Sequence, residues 1–100
     1  MPYTTMQQFE WDEEKAEANL KKHRISFPAA AMVFSDPLHL TVQDDRFEYG
    51  EAREITFGQV ENRVIAVVHT EREGKTRIIS ARYAEASEVR AYYQLYPRSR

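Results

Sequence analysis

The chain has 100 residues, 42% hydrophobic and 30% charged, with a formal net charge of −2 and no cysteine. That length suits one domain with its own core, the acidic balance argues against a broadly basic nucleic-acid binder, and the lack of cysteine excludes a disulfide scaffold or a thiolate zinc site. The charge is segregated, however: residues 1–50 hold five Lys/Arg against nine Asp/Glu and residues 51–100 hold nine against seven, so an anion-binding surface is expected to be local and built from the second half.

The first residues, MPYTTMQQ, lack the basic and apolar regions of an export signal, and the longest apolar runs fall far short of a membrane span, so a cytoplasmic location is expected. No repeat or linker interrupts the chain. It reads as one domain over 1–100, ordered from about Phe9 to about Tyr96. FEW, at 9–11, predicts a short edge strand running into a helix over 13–23, with Asp12 as N-cap, Glu13 and Glu14 at the positive end of the dipole and Lys21, Lys22, His23 and Arg24 at the negative end. Its inward stripe, Ala16, Asn19, Leu20 and His23, is unusually polar, which predicts that Asn19 and His23 hydrogen-bond a neighbouring strand.

SFPAAAMVFSDP then carries a Ser/Pro start signal and halts before Pro37, a short apolar helix with Phe27, Ala30, Ala31 and Phe34 on one side. From Leu38 the pattern alternates through LHLTVQ, EAREITFG, RVIAVVHTE and TRIISAR, with VENR and REGK as turns. A last helix carries Val89, Tyr92, Tyr93 and Tyr96 at helical spacing, starting near Glu85 or Ser87. The order is strand, two helices, three or four antiparallel strands, helix: an α+β domain.

Tips at Glu61–Asn62 and Glu73–Gly74 align three strands. Arg53, Thr70 and Arg77 form one rung, and Glu51, Arg72 and Lys75 the next, on the same face. Along that face follow Ile55, Val68 and Ile79, then Phe57, Ala66 and Ala81; the other face pairs His69 with Ile78, Val67 with Ser80 and Ile65 with Arg82. Strict alternation sends Arg77 and Arg82 to opposite sides of the sheet, and a one-residue bulge would swap the faces.

Arginines facing one another across a strand repel, and a bound anion resolves the conflict: guanidiniums grip phosphate oxygens bidentately and stay charged at any working pH. The competing explanation is a surface ion-pair network using Glu51 and Glu54. His69, a lone strand histidine, is more often packed than catalytic, and Arg82 can contact the last helix or extend toward a ligand. His23, His39 and His69 lack a carboxylate at ligand spacing, so no metal is expected; Gly50, Gly58 and Gly74 read as isolated turn residues rather than a phosphate loop. Tyr92 or Tyr93 would stack a base if their helix bordered the cationic patch.

FEWDEEKAEANLKKH, ISFPAAAMVFSDPL, GEAREITFG, VVHTER and RIISARYA, in this order, resemble the BrnT-type ribonuclease toxins of bacterial toxin–antitoxin pairs across nearly the whole chain. The resemblance implies a RelE-like fold, two N-terminal helices and a C-terminal helix packed on a small, mainly antiparallel sheet. It also implies endonucleolytic RNA cleavage and growth arrest without metal or cofactor, and neutralisation by a cognate BrnA-type antitoxin, through which alone the chain meets DNA. Its motifs fall on Lys22, His23, Glu51, Arg53, His69, Thr70, Arg72, Arg77, Ser80 and Arg82. Two positions depart from it. Arg24 stands where the family usually has glycine, which bears on the helix C-cap, and Val89 stands where an arginine is common.

The expected catalytic group is Arg53, Arg72 and Arg77 clamping the phosphate, with Glu51 or a nearby histidine handling the proton; Lys22, His23, His69, Lys75 and Arg82 are the expected RNA contacts. Glu51 is the weaker base, since a carboxylate among arginines favours its charged form, and orienting Arg72 is its other role. The alternative function is a non-enzymatic module that docks an acidic protein on the cationic face. RNA cleavage in EDTA separates the two. Direct DNA binding is disfavoured, because the chain is acidic and has no reading helix or basic arm.

Overall fold

The computed structural model describes residues 8–45 and 50–95. In chain order the elements are β1 (Phe9–Glu10), α1 (Glu13–His23), α2 (Phe27–Ala31), a 3₁₀ turn (Met32–Ser35), β2 (Leu40–Gln43), β3 (Glu54–Val60), β4 (Arg63–Arg72), β5 (Lys75–Tyr83) and α3 (Ala86–Leu95). The strands form one five-stranded mixed sheet, ordered β1-β5-β4-β3-β2, in which β1 runs parallel to β5 and the other neighbours are antiparallel. Over the described residues the fold is therefore α+β, with three helices. The expected end of the ordered region near Tyr96, and that residue's place on the last helix, lie outside the described residues.

Local chemistry sets the helix boundaries. Asp12 Oδ1 accepts from the Glu14 and Lys15 amides and starts α1; Ser26 Oγ accepts from the Ala29 amide and starts α2, with Pro28 in its first turn. Alpha-1 ends at Arg24, whose backbone is left-handed at φ 63° and whose amide donates to the Leu20 carbonyl. The two hairpin tips also fall where the sequence puts them. Glu61 and Asn62 have φ 50° and 72°, and Glu73 and Gly74 have φ 53° and 80°, the paired left-handed geometry of two-residue hairpin turns.

One face of the sheet takes the main core: Phe27, Ala30 and Val33 from α2 and the 3₁₀ turn, with Ile25, lie against Ile65, Val67, Ile78 and Ala81. Gly58 corrects the expectation of an isolated turn residue. It sits within β3, where a Cβ would fall 2.7 Å from both Cβ and the carbonyl oxygen of Val33, so the missing side chain lets the 3₁₀ turn lie directly on the strand. Alpha-3 reaches across from β5 to β3: Glu88 meets Arg82, the Tyr93 hydroxyl donates to Gln59, and the buried Tyr92 donates its hydroxyl to Asp36.

Between β3 and β4 the register is as expected, with Ile55 opposite Val68 and Phe57 opposite Ala66. Between β4 and β5 it holds only near the tip, where Arg72 faces Lys75, Thr70 faces Arg77 and His69 faces Ile78. A bulge then leaves Ile79 unpaired, and the partners become Val68–Ser80, Val67–Ala81, Ala66–Arg82 and Ile65–Tyr83. The expected pairs of Val68 with Ile79, Ala66 with Ala81, Val67 with Ser80 and Ile65 with Arg82 are thus displaced by one residue.

So are the faces. Because Thr70 and Ala66 are four apart on β4, their partners Arg77 and Arg82 leave the sheet on the same side, contrary to the strict alternation. Burial supplies the reason. Continuing the alternation from Ile78 would press Ser80 and Arg82 against the helices, whereas the bulge presents Ala81, which is 1% exposed. Asn19 fixes this phase by donating to the Ala81 carbonyl at 2.9 Å and accepting from the Ala81 amide at 3.0 Å, filling the edge that the two-residue β1 leaves unpaired.

Candidate active site

The bulge lies beyond the cationic rungs, so their β4–β5 pairs keep the expected register, while Glu51 and Arg53 lie ahead of the first β3–β4 pair, Glu54 with His69. Arg77 pairs with Thr70 and Lys75 with Arg72 at the tip end of the β4–β5 hairpin. Arg53 immediately precedes β3 and continues the Phe57–Ile55 side of its alternation, which brings it to the same face. Two bonds pin this segment: the Asp44 amide donates to the Arg53 carbonyl at 2.9 Å, and Thr70 Oγ1 donates to the Ala52 carbonyl at 2.6 Å. Glu51 then spans two guanidiniums, with Oε2 3.4 Å from Arg53 Nη2 and Oε1 3.3 Å from Arg72 Nη2. A cavity of about 270 Å³, lined by Gln43, Glu51, Ala52, Glu54, Thr70 and Glu71, opens beside this group.

Sequence reasoning missed Glu10. Parallel pairing sets Glu10 opposite Arg77, and Arg77 Nη1 lies 3.3 Å from Glu10 Oε2. The available signal was a charge between two aromatic residues on a strand: Phe9 and Trp11 pack against the core, so Glu10 must face the other way. Glu54 pairs with His69 across from the cationic side, whereas Glu51 and Glu10 reach the arginines.

Several other expected contacts are engaged elsewhere. Arg82 shares the Arg77 side but makes a two-pronged pair with Glu88 at 2.8 and 2.9 Å, and Glu88 also accepts from the Glu85 amide at the start of α3. Its observed contact is the anchoring of that helix. Ser80, half-buried, shares the same side because of the bulge. Tyr92 is buried and its hydroxyl, like that of Tyr93, is taken up within the protein.

His69, expected as an RNA contact, is packed inside the protein. It is 3% exposed on the helix side, its Nε2 lies 2.7 Å from Thr56 Oγ1, which lies 2.7 Å from Thr41 Oγ1, and its ring meets Phe34 edge-on. Burial pushes its pKa below the usual histidine value, against the opposing pull of Glu54 and Glu71. Lys22 and His23 lie a helical turn beyond Asn19, near the Ala81 end of β5, apart from the arginines; of the pair expected to bond a strand, Asn19 does so. His39 bonds the Asp36 carbonyl. No histidine therefore adjoins the cationic group, and among the described residues no three His, Asp or Glu side chains are grouped to hold a metal.

The family model of the BrnT ribonuclease toxins of type II toxin–antitoxin systems matches residues 11–88. The chain belongs to this family. No curated protein matches it to a comparable standard. The matched span of this BrnT-family chain contains every arginine of the cationic group together with Glu51 and Thr70, and it begins one residue after Glu10. Among the described residues no helix is long and apolar enough to cross a membrane.

Proposed function

We propose that this chain is the toxin of a type II module: a single RelE-like domain that works in the cytoplasm, cleaves RNA internally without a metal ion, and arrests growth until a cognate BrnA-type antitoxin binds it. DNA enters only through that antitoxin. The observation that carries this reading is the gathering of Arg53, Arg72 and Arg77 around Thr70 on one half of a sheet face, with Glu51 spanning two of them.

Cleavage of this kind begins when a ribose 2′-hydroxyl attacks the adjacent phosphate. The pentacoordinate species carries more negative charge on its non-bridging oxygens than the diester does, and preformed guanidinium donors are strongest where that extra charge develops. Arg53, Arg72 and Arg77 act as the clamp. Glu51 keeps Arg53 and Arg72 aimed, and Lys75, exposed beside Arg72, extends the positive strip along the RNA backbone.

Removing one such donor typically slows the reaction about a hundredfold or more. Arg77→Ala, shown by circular dichroism to fold, should lose cleavage to that extent and no longer arrest growth; cleavage at the parental rate would overturn the assignment. Cutting that persists in EDTA, and arrest relieved by co-expressing a neighbouring small open reading frame, test the metal-free chemistry and the antitoxin.

A further inference from the structure

Two carboxylates reach the arginine group, and their surroundings differ. Both oxygens of Glu51 face guanidiniums, Oε1 toward Arg72 and Oε2 toward Arg53. Among the described residues Glu10 meets only Arg77, through Oε2, and its Oε1 makes no hydrogen bond. Proton transfer needs an oxygen lone pair that the attacking hydroxyl can reach. On Glu51 each oxygen already accepts from a guanidinium, whereas Oε1 of Glu10 does not, and His69 lies on the opposite face of the sheet.

We infer that Glu10 is the catalytic residue that takes the proton from the attacking 2′-hydroxyl, an assignment that rests on the arginine site being where RNA is cut. Arg77 joins the two halves of the chemistry. Its Nη1 holds Glu10, while its remaining N–H groups are available to a phosphate oxygen, so a clamped phosphate brings the neighbouring ribose to the open oxygen of Glu10. In the step itself the 2′ O–H proton passes to Glu10 Oε1 and the 2′ oxygen forms its bond to phosphorus. The P–O5′ bond breaks, and the departing O5′ takes a proton from water. The products are a 2′,3′-cyclic phosphate and a 5′-hydroxyl. The side chains of Glu10 and Arg77 are 29% and 27% exposed, open enough for a strand of RNA yet held by their neighbours.

The test is single-turnover cleavage of a short RNA by the purified full chain across acid to neutral pH. Glu10→Gln should slow the chemical step about a hundredfold or more, leave RNA affinity within a few-fold, and abolish the rise in rate with pH on the acid side. Glu10→Asp should keep that rise, because it keeps the carboxylate. Glu51→Gln should weaken binding and rate while preserving the rise. If Glu10 only positions Arg77, the glutamine amide oxygen still accepts the guanidinium bond and the pH dependence survives, which would overturn the inference even if the rate falls. Arg77→Ala separates the two levels. An active Arg77→Ala removes the whole site, whereas an inactive Arg77→Ala beside a Glu10→Gln with a parental pH profile removes only the base.

Discussion

Arg24 holds a backbone conformation that L-residues avoid, because φ 63° brings Cβ toward the following carbonyl. Its amide nevertheless closes the last turn of α1 by donating to Leu20 at 2.9 Å, so the bend is needed and the side chain bears the strain. The family resemblance has glycine here, which meets the same bend without strain. Against that, an exposed arginine at a helix C-terminus gains a few tenths of a kcal/mol from the dipole. Arg24→Gly should therefore stabilise the protein by a net of roughly 0.5–1 kcal/mol, seen as a higher urea midpoint with an unchanged slope. A lower midpoint would mean that the Arg24 guanidinium holds a contact worth more than the strain. Asn19 is the converse case, a polar residue on an inward helix stripe that was readable as a strand contact from that placement alone. Its partner, Ala81, was not readable, since nothing near position 19 encodes a residue 62 positions away.

Hairpins and helices were readable because their determinants are local. Asp12, Ser26 and the two turn tetrapeptides each fix a boundary within a few residues. The β5 bulge was not, and so Arg82 was assigned to the wrong face. Two consecutive isoleucines, Ile78 and Ile79, mark the phase change, but only the core packed over Ala81 decides which of them drops out of the ladder. Beta-1 was expected as an edge strand, yet two residues cannot reveal a parallel partner, and Glu10 stayed outside the expected site for that reason. Gly58 shows the same limit within β3. Gly58→Ala should place a methyl group against Val33 backbone that cannot move without lifting the 3₁₀ turn. The expected cost is about 1–3 kcal/mol, which in a domain of this size lowers the melting temperature by about 4–8 °C per kcal/mol. An unchanged melting temperature would show that the 3₁₀ turn shifts freely over β3.

Two titrating groups tie the stability of the whole domain to pH. Asp36 joins the end of the 3₁₀ turn to β3 and α3, accepting from the Gln59 amide and the Tyr92 hydroxyl. Burial raises its pKa, but the bonds from Tyr92, Gln59 and Leu38 and the charge of His39 together hold it below 3.8, so what it contributes is kept until the pH falls below that value. His69 acts earlier. Its folded-state pKa lies below the ordinary 6.5, so as the pH drops past 6.5 the unfolded chain binds the proton before the folded chain does. Stability tied to His69 is complete above 6.5 and declines below it, by at most about 1.4 kcal/mol per pH unit, until the folded ring protonates as well. Because His69 is buried within the sheet that carries the core, this ring registers in the unfolding of that sheet. His69→Gln keeps an amide able to bond Thr56 but cannot titrate. Urea unfolding from about pH 7.5 down to about pH 5 should show parental stability falling with acid and a markedly flatter line for His69→Gln. Equal slopes in the two proteins would mean that the folded state accommodates the imidazolium, and that the packing of His69 against Thr56 and Phe34 opens at little cost.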